Sequence, residues 1–213
     1  MIVSYNKPMT FSSTSSHQRQ IGRPREFDME QVLDAAVLLF RERGYNGTSI
    51  ADLRAAMGLT AGSLYKAFKD KRAIFVAALE RYLTSREMTL QGRLNEARTG
   101  RQKILAMLRS YADVSHGLEG RRGCMVLGGL TDVDTFDGAL AHRFFQTLAG
   151  IEQRLVEFIQ QGIRDGSLPS GLDACSSARY LLCVMEGLRV LGKRGAGAQE
   201  INLVVEQAMR ALD

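Results

Sequence analysis

The sequence predicts an all-α protein, with an N-terminal three-helix unit built around a helix-turn-helix and a larger helical domain behind it. Nearly every long segment repeats its apolar residues at helical spacing, and no run of strand-like alternation stands out. Two short helical stretches flank a tight turn at Gly58. The apolar content, 45% of 213 residues, is ample for a sizeable core. The expected division is a basic arm over 1–26, a helix-turn-helix unit over 27–72 and a second domain over 73–213.

The first 25 residues hold Lys7, Arg19, Arg23 and Arg25, no acid, and much Ser, Thr and Gln, a composition that predicts disorder in the free chain. Within it, Gly22-Arg23-Pro24-Arg25 directly precedes the first helix. Pro24 keeps the chain extended, so Arg23 and Arg25 could enter a narrow, electronegative minor groove. The plainer alternative is a solvated tail.

Phe27 to Arg43 is an amphipathic helix with the stripe Val32, Leu33, Ala36, Leu39 and Phe40, an N-cap at Asp28 and a stop at Gly44. Ile50, Leu53 and Met57 line one face of the next helix, for which Thr48 is the expected N-cap. Gly58 supplies the left-handed conformation for a sharp turn. Thr60 caps a third helix whose Leu64 turns inward with Leu59 and Phe68. Ala61, Gly62, Ser63, Tyr65 and Lys66 are left outside. Asp70 suits the start of a fourth helix.

A narrow helix start, polar and flanked by basic residues, fits the DNA major groove, where base edges are distinguishable. Thr60, Ala61 and Ser63 are expected at base edges and Tyr65, Lys66 and Lys71 at phosphates, with Thr48 and Gly62 completing the contact surface. The charge agrees. Residues 1–72 hold eleven Lys/Arg against seven Asp/Glu, net +4, whereas the remainder holds seventeen against sixteen, net +1.

The second domain reads as helices over Lys71 to about Leu94, Gly100 to about Gly117, Phe136 to about Arg164, Ala174 to about Leu191 and Gln199 to Leu212. Gly120 to Leu130 is a short apolar piece between the second and third of these. Aromatic and Met residues over 104–191 predict a pocket that can be occupied, with Tyr111, Met125, Phe136, Phe144, Phe145, Tyr180 and Met185 as lining candidates. Taken singly, each is more often core than lining, so the expectation is of the region rather than of any one residue.

Catalysis is not indicated. There is no phosphate loop, Gly-x-Ser-x-Gly elbow or His-Glu-x-x-His motif, and His17, His116 and His142 are isolated. Asp132, Asp134 and Asp137 lack the downstream Glu of a calcium loop, so helix capping is the expected role, with no metal and no cofactor. Cys124, Cys175 and Cys183 lack metal-ligand spacing. Cys175 and Cys183 would lie roughly 12 Å apart along one helix, too far for a disulfide. With no bilayer-length apolar run and no signal-peptide core at the start, a reducing cytoplasm is expected and no membrane partner.

The stretch from 27 to 75 closely resembles the DNA-binding domain of the TetR/AcrR family of transcriptional regulators. The family's Gly-Tyr-x-x-Thr-Ser-Ile opening is matched by Gly44 to Ile50, its Ala-Gly-Ser-Leu-Tyr recognition helix by Ala61 to Tyr65, and its Phe-x-x-Lys-x-x-Ile-Phe exit by Phe68 to Phe75. Ala67 departs from the His or Tyr often found before that Phe, which removes a backbone-adjacent contact. The resemblance implies a ligand-binding and dimerisation domain after the head, and a homodimer formed by the last two helices as a four-helix bundle. Gly187 would allow close helix approach there. Two heads about one DNA turn apart imply a near-palindromic double-stranded operator and a repressor released by a small, largely apolar organic inducer.

Gly123-Cys124-Met125 resembles a motif in a subset of the family that includes oxidant- and electrophile-responsive repressors. Arg121 and Arg122 beside it would favour the thiolate. Sensing through Cys124 is therefore an alternative to a reversible inducer, as is a plain structural role for a small apolar residue at a helix start. A constitutive architectural DNA binder is a further alternative.

Deleting residues 1–25 is expected to leave the fold intact and to lower DNA affinity, most at sites with A·T-rich flanks. Titrations of the full and shortened chains at physiological salt check this, and equal affinity would make the arm a bystander.

Overall fold

The computed structural model describes residues 28–213, and Arg23 and Arg25 lie outside them. Among the described residues the chain forms ten α-helices and one short 3-10 turn. They are α1 (Met29–Arg43), α2 (Ile50–Ala56), α3 (Ala61–Ala67), α4 (Lys71–Leu94), α5 (Gly100–Asp113), α6 (Gly117–Arg122), α7 (Met125–Thr131), α8 (Gly138–Arg164), α9 (Ala174–Arg194) and α10 (Ala198–Arg210). No helix among the described residues is long and apolar enough to cross a membrane.

Capping residues set most of these starts. Asp28 accepts from the Glu30 N–H, Thr60 from Ser63, Asp70 from Ala73 and Asp137 from Leu140. The expected cap at Thr48 is displaced by one residue. Ser49 Oγ accepts from the Asp52 N–H at 3.1 Å, and the Asp52 carboxylate returns to the Ser49 N–H at 3.0 Å. Thr48 has only Ala51 at the matching position and cannot form this reciprocal pair. Its hydroxyl turns inward and donates to the Gly44 carbonyl at 2.7 Å. Gly58, at φ 64°, makes the predicted turn between α2 and α3.

The piece expected over Gly120–Leu130 is two short helices, α6 and α7, broken at Gly123 (φ 86°) and Cys124. The helix before it ends at Asp113, since Gly117 (φ 59°) opens α6. At the far end α9 runs three residues past Leu191, to the left-handed stop at Gly195.

Two apolar cores stack along the molecule. One joins Ala36, Phe40, Leu53, Leu64, Ile74 and Phe75 of the head to Met125, Val126, Leu140 and Phe144 of α7 and α8. The other gathers Ile104, Leu108, Leu155, Leu181, Leu188 and Ile201 from α5, α8, α9 and α10. Helix α4 serves both, with Phe75 and Leu79 in the first and Leu90 in the second. An aromatic chain ties head to body: Phe75 meets Phe40 at 4.9 Å and Tyr45 at 5.0 Å, and Phe136 meets Tyr45 at 5.1 Å and Phe144 at 5.6 Å.

A polar clamp lies over that chain. Arg72, at the start of α4, donates to both carboxylate oxygens of Asp137, the cap of α8. The Arg72 bond, reinforced by the Leu140 N–H, holds the Asp137 carboxyl down to about 2. Its folded value is depressed, so the clamp is intact above the ordinary carboxylate range and is lost only as pH falls through about 2.

Gly129 on α7 lies against the Phe144 ring, closer than a β-carbon allows. Gly129→Ala is therefore expected to destabilise by about 1–3 kcal/mol, the usual cost of overpacking a tight core. Urea unfolding checks this; unchanged stability would mean that the Phe144 ring shifts freely.

Candidate functional site

The head presents α3 outward. Leu64 and Phe68 anchor it in the core, while Thr60, Ala61, Gly62, Tyr65 and Lys66 are exposed, Tyr65 to 61%. Thr60 Oγ accepts from the Ser63 N–H at 3.2 Å and donates to Ser63 Oγ at 3.0 Å, which fixes both hydroxyls at the helix start. Six of the expected contact residues thus share one short helix and its cap.

Two expected contacts are not on this surface. Thr48 is 1% exposed, so its side chain has no face to offer DNA. Lys71 Nζ donates to the carbonyls of Tyr45 at 3.0 Å and Thr48 at 3.1 Å, and lies 4.2 Å from the centre of the Tyr45 ring. Its ammonium satisfies turn carbonyls between α1 and α2 that would otherwise lack donors, and so braces the head from within. Sequence reasoning passed over two exposed cations, Arg54 on α2 and Lys69 in the α3–α4 turn. Neither forms an ion pair among the described residues, whereas Arg43 is spent on Asp52 at 3.1 Å. The signal was available: both flank α3 closely in sequence.

Behind the head, a cavity of about 550 Å³ opens between α4, α5, α7, α8 and α9. Leu83, Leu90, Met107, Val126 and Ile151 give it apolar walls. At its edge Arg143 pairs with Glu80 at 2.8 Å and Arg154 with Glu87 at 2.9 Å, bridging α8 to α4. Those guanidiniums hold the Glu80 and Glu87 carboxyls below the usual range. Deeper in, the Tyr82 hydroxyl donates to Cys124 Sγ at 3.6 Å. Burial, then the neighbouring thiol, pushes the Tyr82 phenol well up, so it stays a neutral donor.

Of the seven expected lining residues, Tyr111 lines this cavity, and Cys124 lines it as well. The other six are placed elsewhere. Met125, Phe136 and Phe144 are taken into the core shared with the head. Met185 is fully buried in the second core. Phe145 and Tyr180 are 52% and 41% exposed on α8 and α9. Arg121 is exposed and Arg122 turns to Glu119 at 2.5 Å, so the cations expected to activate Cys124 are engaged or outside.

The cavity wall also holds residues that the sequence reading missed, namely Tyr82, Arg86 and Arg189. A charge inside the apolar run 180–191, which otherwise carries only Glu186, was the signal for Arg189, which is 2% exposed. Its guanidinium donates to the Gly123 carbonyl at 2.7 Å, and Arg41 of α1 donates to the same oxygen at 2.9 Å. One carbonyl, next to Cys124, thereby joins the head to α9.

Comparison with known proteins places this architecture. Residues 32–78 match the family model described as bacterial regulatory proteins, tetR family, and residues 100–207 match the tetracyclin repressor-like C-terminal domain. The chain is 32% identical over 199 residues to the HTH-type transcriptional repressor BdcR of Escherichia coli, covering 93% of this chain and 96% of that one. It is 27% identical over 203 residues to the transcriptional repressor ComR of the same organism, covering 95% and 97%. Among solved structures, a cysteine mutant of the TetR family regulator CifR, complexed with 26-bp double-strand operator DNA, superposes with a TM-score of 0.79 at 31% identity, covering 90% of this chain and all of that one.

The exposed ammonium of Lys66, in the last turn of α3 and in no ion pair among the described residues, generates a prediction. Lys66→Ala is expected to weaken every duplex alike and to lower the slope of log affinity against log salt by about one. Anisotropy titrations over a range of salt check it. Lost discrimination with unchanged non-specific affinity would assign Lys66 to base reading instead.

Proposed function

This chain belongs to the TetR family of bacterial regulatory proteins and is a DNA-binding transcriptional repressor, and we propose that a small organic ligand in the α4–α9 cavity releases it from its operator. The observation that carries the reading is the Gly123 carbonyl, shared by Arg41 of the head and Arg189 of the cavity wall. A ligand displacing either guanidinium, or the α4 turn at Tyr82 and Arg86, alters the seating of the head. Only a ligand with different affinity for the two arrangements shifts their populations.

The reading includes a homodimer through the last helices, with two α3 helices meeting a near-palindromic site about one DNA turn apart. In its support, α9 carries an exposed stripe of Tyr180, Cys183 and Val190, with Leu203 exposed on α10. A β-carbon at Gly187, within that stripe, would meet nothing, which leaves room for a partner helix. Arg23 and Arg25 are proposed to enter the flanking minor groove, and Thr60, Ala61, Gly62, Ser63, Tyr65 and Lys66 to make the major-groove and phosphate contacts. BdcR and ComR are named as repressors and CifR is held on operator DNA, in keeping with this.

A second reading, release through the Cys124 thiol, is favoured by one observation. The sulfur lines the same cavity and accepts the Tyr82 hydroxyl, beside the Gly123 joint. Oxidation to a sulfenic acid or addition to an aldehyde would enlarge the group there.

Both readings are tested on DNA that the purified protein selects from a fragment library. Under the second, hydrogen peroxide or a reactive aldehyde releases that DNA from the native protein and not from Cys124→Ser, while Cys175→Ser and Cys183→Ser stay responsive. If all three variants release alike, or none does, the reversible ligand stands. A protein that selects no sequence over background would overturn the operator reading itself.

A further inference from the structure

The cavity behind the head holds a buried cation, Arg189, that enters no ion pair among the described residues. The Arg189 guanidinium is held by neutral acceptors: the carbonyls of Val114 and Gly123 and the Ser115 hydroxyl. Its Nε has no hydrogen-bond partner, and among the described residues it enters no ion pair. Arg86 lines the same cavity, and its Nε is likewise buried and unpartnered. The carboxylate nearest to Arg86, Glu119, is 3.8 Å away and is already engaged by Arg41 at 2.9 Å and by Arg122 at 2.5 Å. Glu186, one turn before Arg189 on α9, does not close the gap. No bond joins the two among the described residues, and the Glu186 Oε2 also lacks a partner. Burial pushes that carboxyl up, and the Arg189 charge draws it down by less.

Buried charges in folded proteins are paired or fully hydrogen-bonded, because desolvation otherwise goes uncompensated. Two unpartnered guanidinium Nε–H groups on side chains that line one cavity depart from that rule, and Leu83, Leu90, Met107, Val126 and Ile151 form the apolar part of its wall, with the Glu80 and Glu87 carboxylates at its edge already paired to Arg143 and Arg154. The volume, about 550 Å³, is in the range of small-molecule sites. Resting on the reading of this cavity as a ligand site, we infer that its ligand is an organic acid. Its apolar body packs against Leu83, Leu90 and Ile151, and its carboxylate accepts from the Nε–H groups of Arg86 and Arg189. The Tyr82 hydroxyl is committed to Cys124, and of the donors on the wall the charged guanidiniums are the ones that would tell an acid from its neutral amide. An acid drawing on Arg189 competes with the Gly123 carbonyl, which places the charge of the ligand at the joint to α1.

The test uses the full chain and displacement of the neutral fluorophore N-phenylnaphthylamine from the cavity. Octanoate and dodecanoate are compared with octanamide and dodecanamide, which match them in shape and lack the charge. In the native protein the acids are expected to displace the fluorophore at about tenfold lower concentration than the amides, the scale of a charge-assisted hydrogen bond. Arg86→Gln and Arg189→Met are expected to remove most of that preference. Thermal unfolding establishes that each variant folds; should Arg189→Met fail to, Arg86→Gln, at a partly exposed position, decides. Uptake of the fluorophore with no preference for acids, or a preference that survives Arg86→Gln, overturns the inference and leaves the ligand-site reading standing. A cavity that takes up neither the fluorophore nor any of the chains overturns both.

Discussion

Two guanidiniums converge on one carbonyl oxygen, that of Gly123, and much of the molecule is organised around satisfying them. Arg41 and Arg189 are 7% and 2% exposed, so neither can turn to water. A carbonyl has two lone pairs, and here each receives a charged donor. The backbone at 123 must turn with φ at 86° to pass between α6 and α7, and the Lys193 chain and the Arg41 carbonyl crowd the place of a β-carbon. Glycine meets both demands. The position of α1 relative to α9 is therefore set by polar geometry, which tolerates little sliding, rather than by an apolar contact that would accommodate it.

Around that joint the head is held by contacts of different character. The aromatic chain from Phe40 to Phe144 supplies buried area. The Arg72–Asp137 clamp and the Lys71 brace supply direction. Helix α4 supplies length, entering the head core at one end and the cavity wall at the other. A change in the cavity can thus reach the head along α4 or through Gly123, and coupling by two contiguous routes requires no long chain of intermediaries.

The helices were legible because their causes are local: apolar spacing, Asp28, Thr60 and Asp70 as caps, Gly44 and Gly58 as stops. The displaced cap at Thr48 and the break at Gly123 depend on choices between adjacent residues, where the reciprocal Ser49–Asp52 pair and a single positive φ decide. The outward face of α3 was readable for the same local reason. The cavity was not. Phe136 and Phe144 have the composition of lining residues, but they pack against Tyr45 and Phe75 of the head, more than sixty positions earlier in the chain. Arg189 escaped notice because periodicity marks which face of α9 is buried and says nothing of a charge placed on that face. Lys71 looked like a phosphate ligand by sign alone; its role follows from carbonyls that only the folded turn between α1 and α2 brings within reach.

The shared aromatic core also bears on how such proteins can be recombined. A chimaera that grafts this recognition head onto another regulatory body at residue 72 would cut between Tyr45 and the rings that cover it, since Phe75, Phe136 and Phe144 all lie on the far side of the cut. The transplanted head would expose an aromatic patch, and the recipient would present side chains shaped for a different one. A seam that respects the packing carries α4 through Tyr82 and the α7–α8 turn with the head. The modular unit in this fold is thus discontinuous along the chain, although the DNA-reading motif itself is a single short segment.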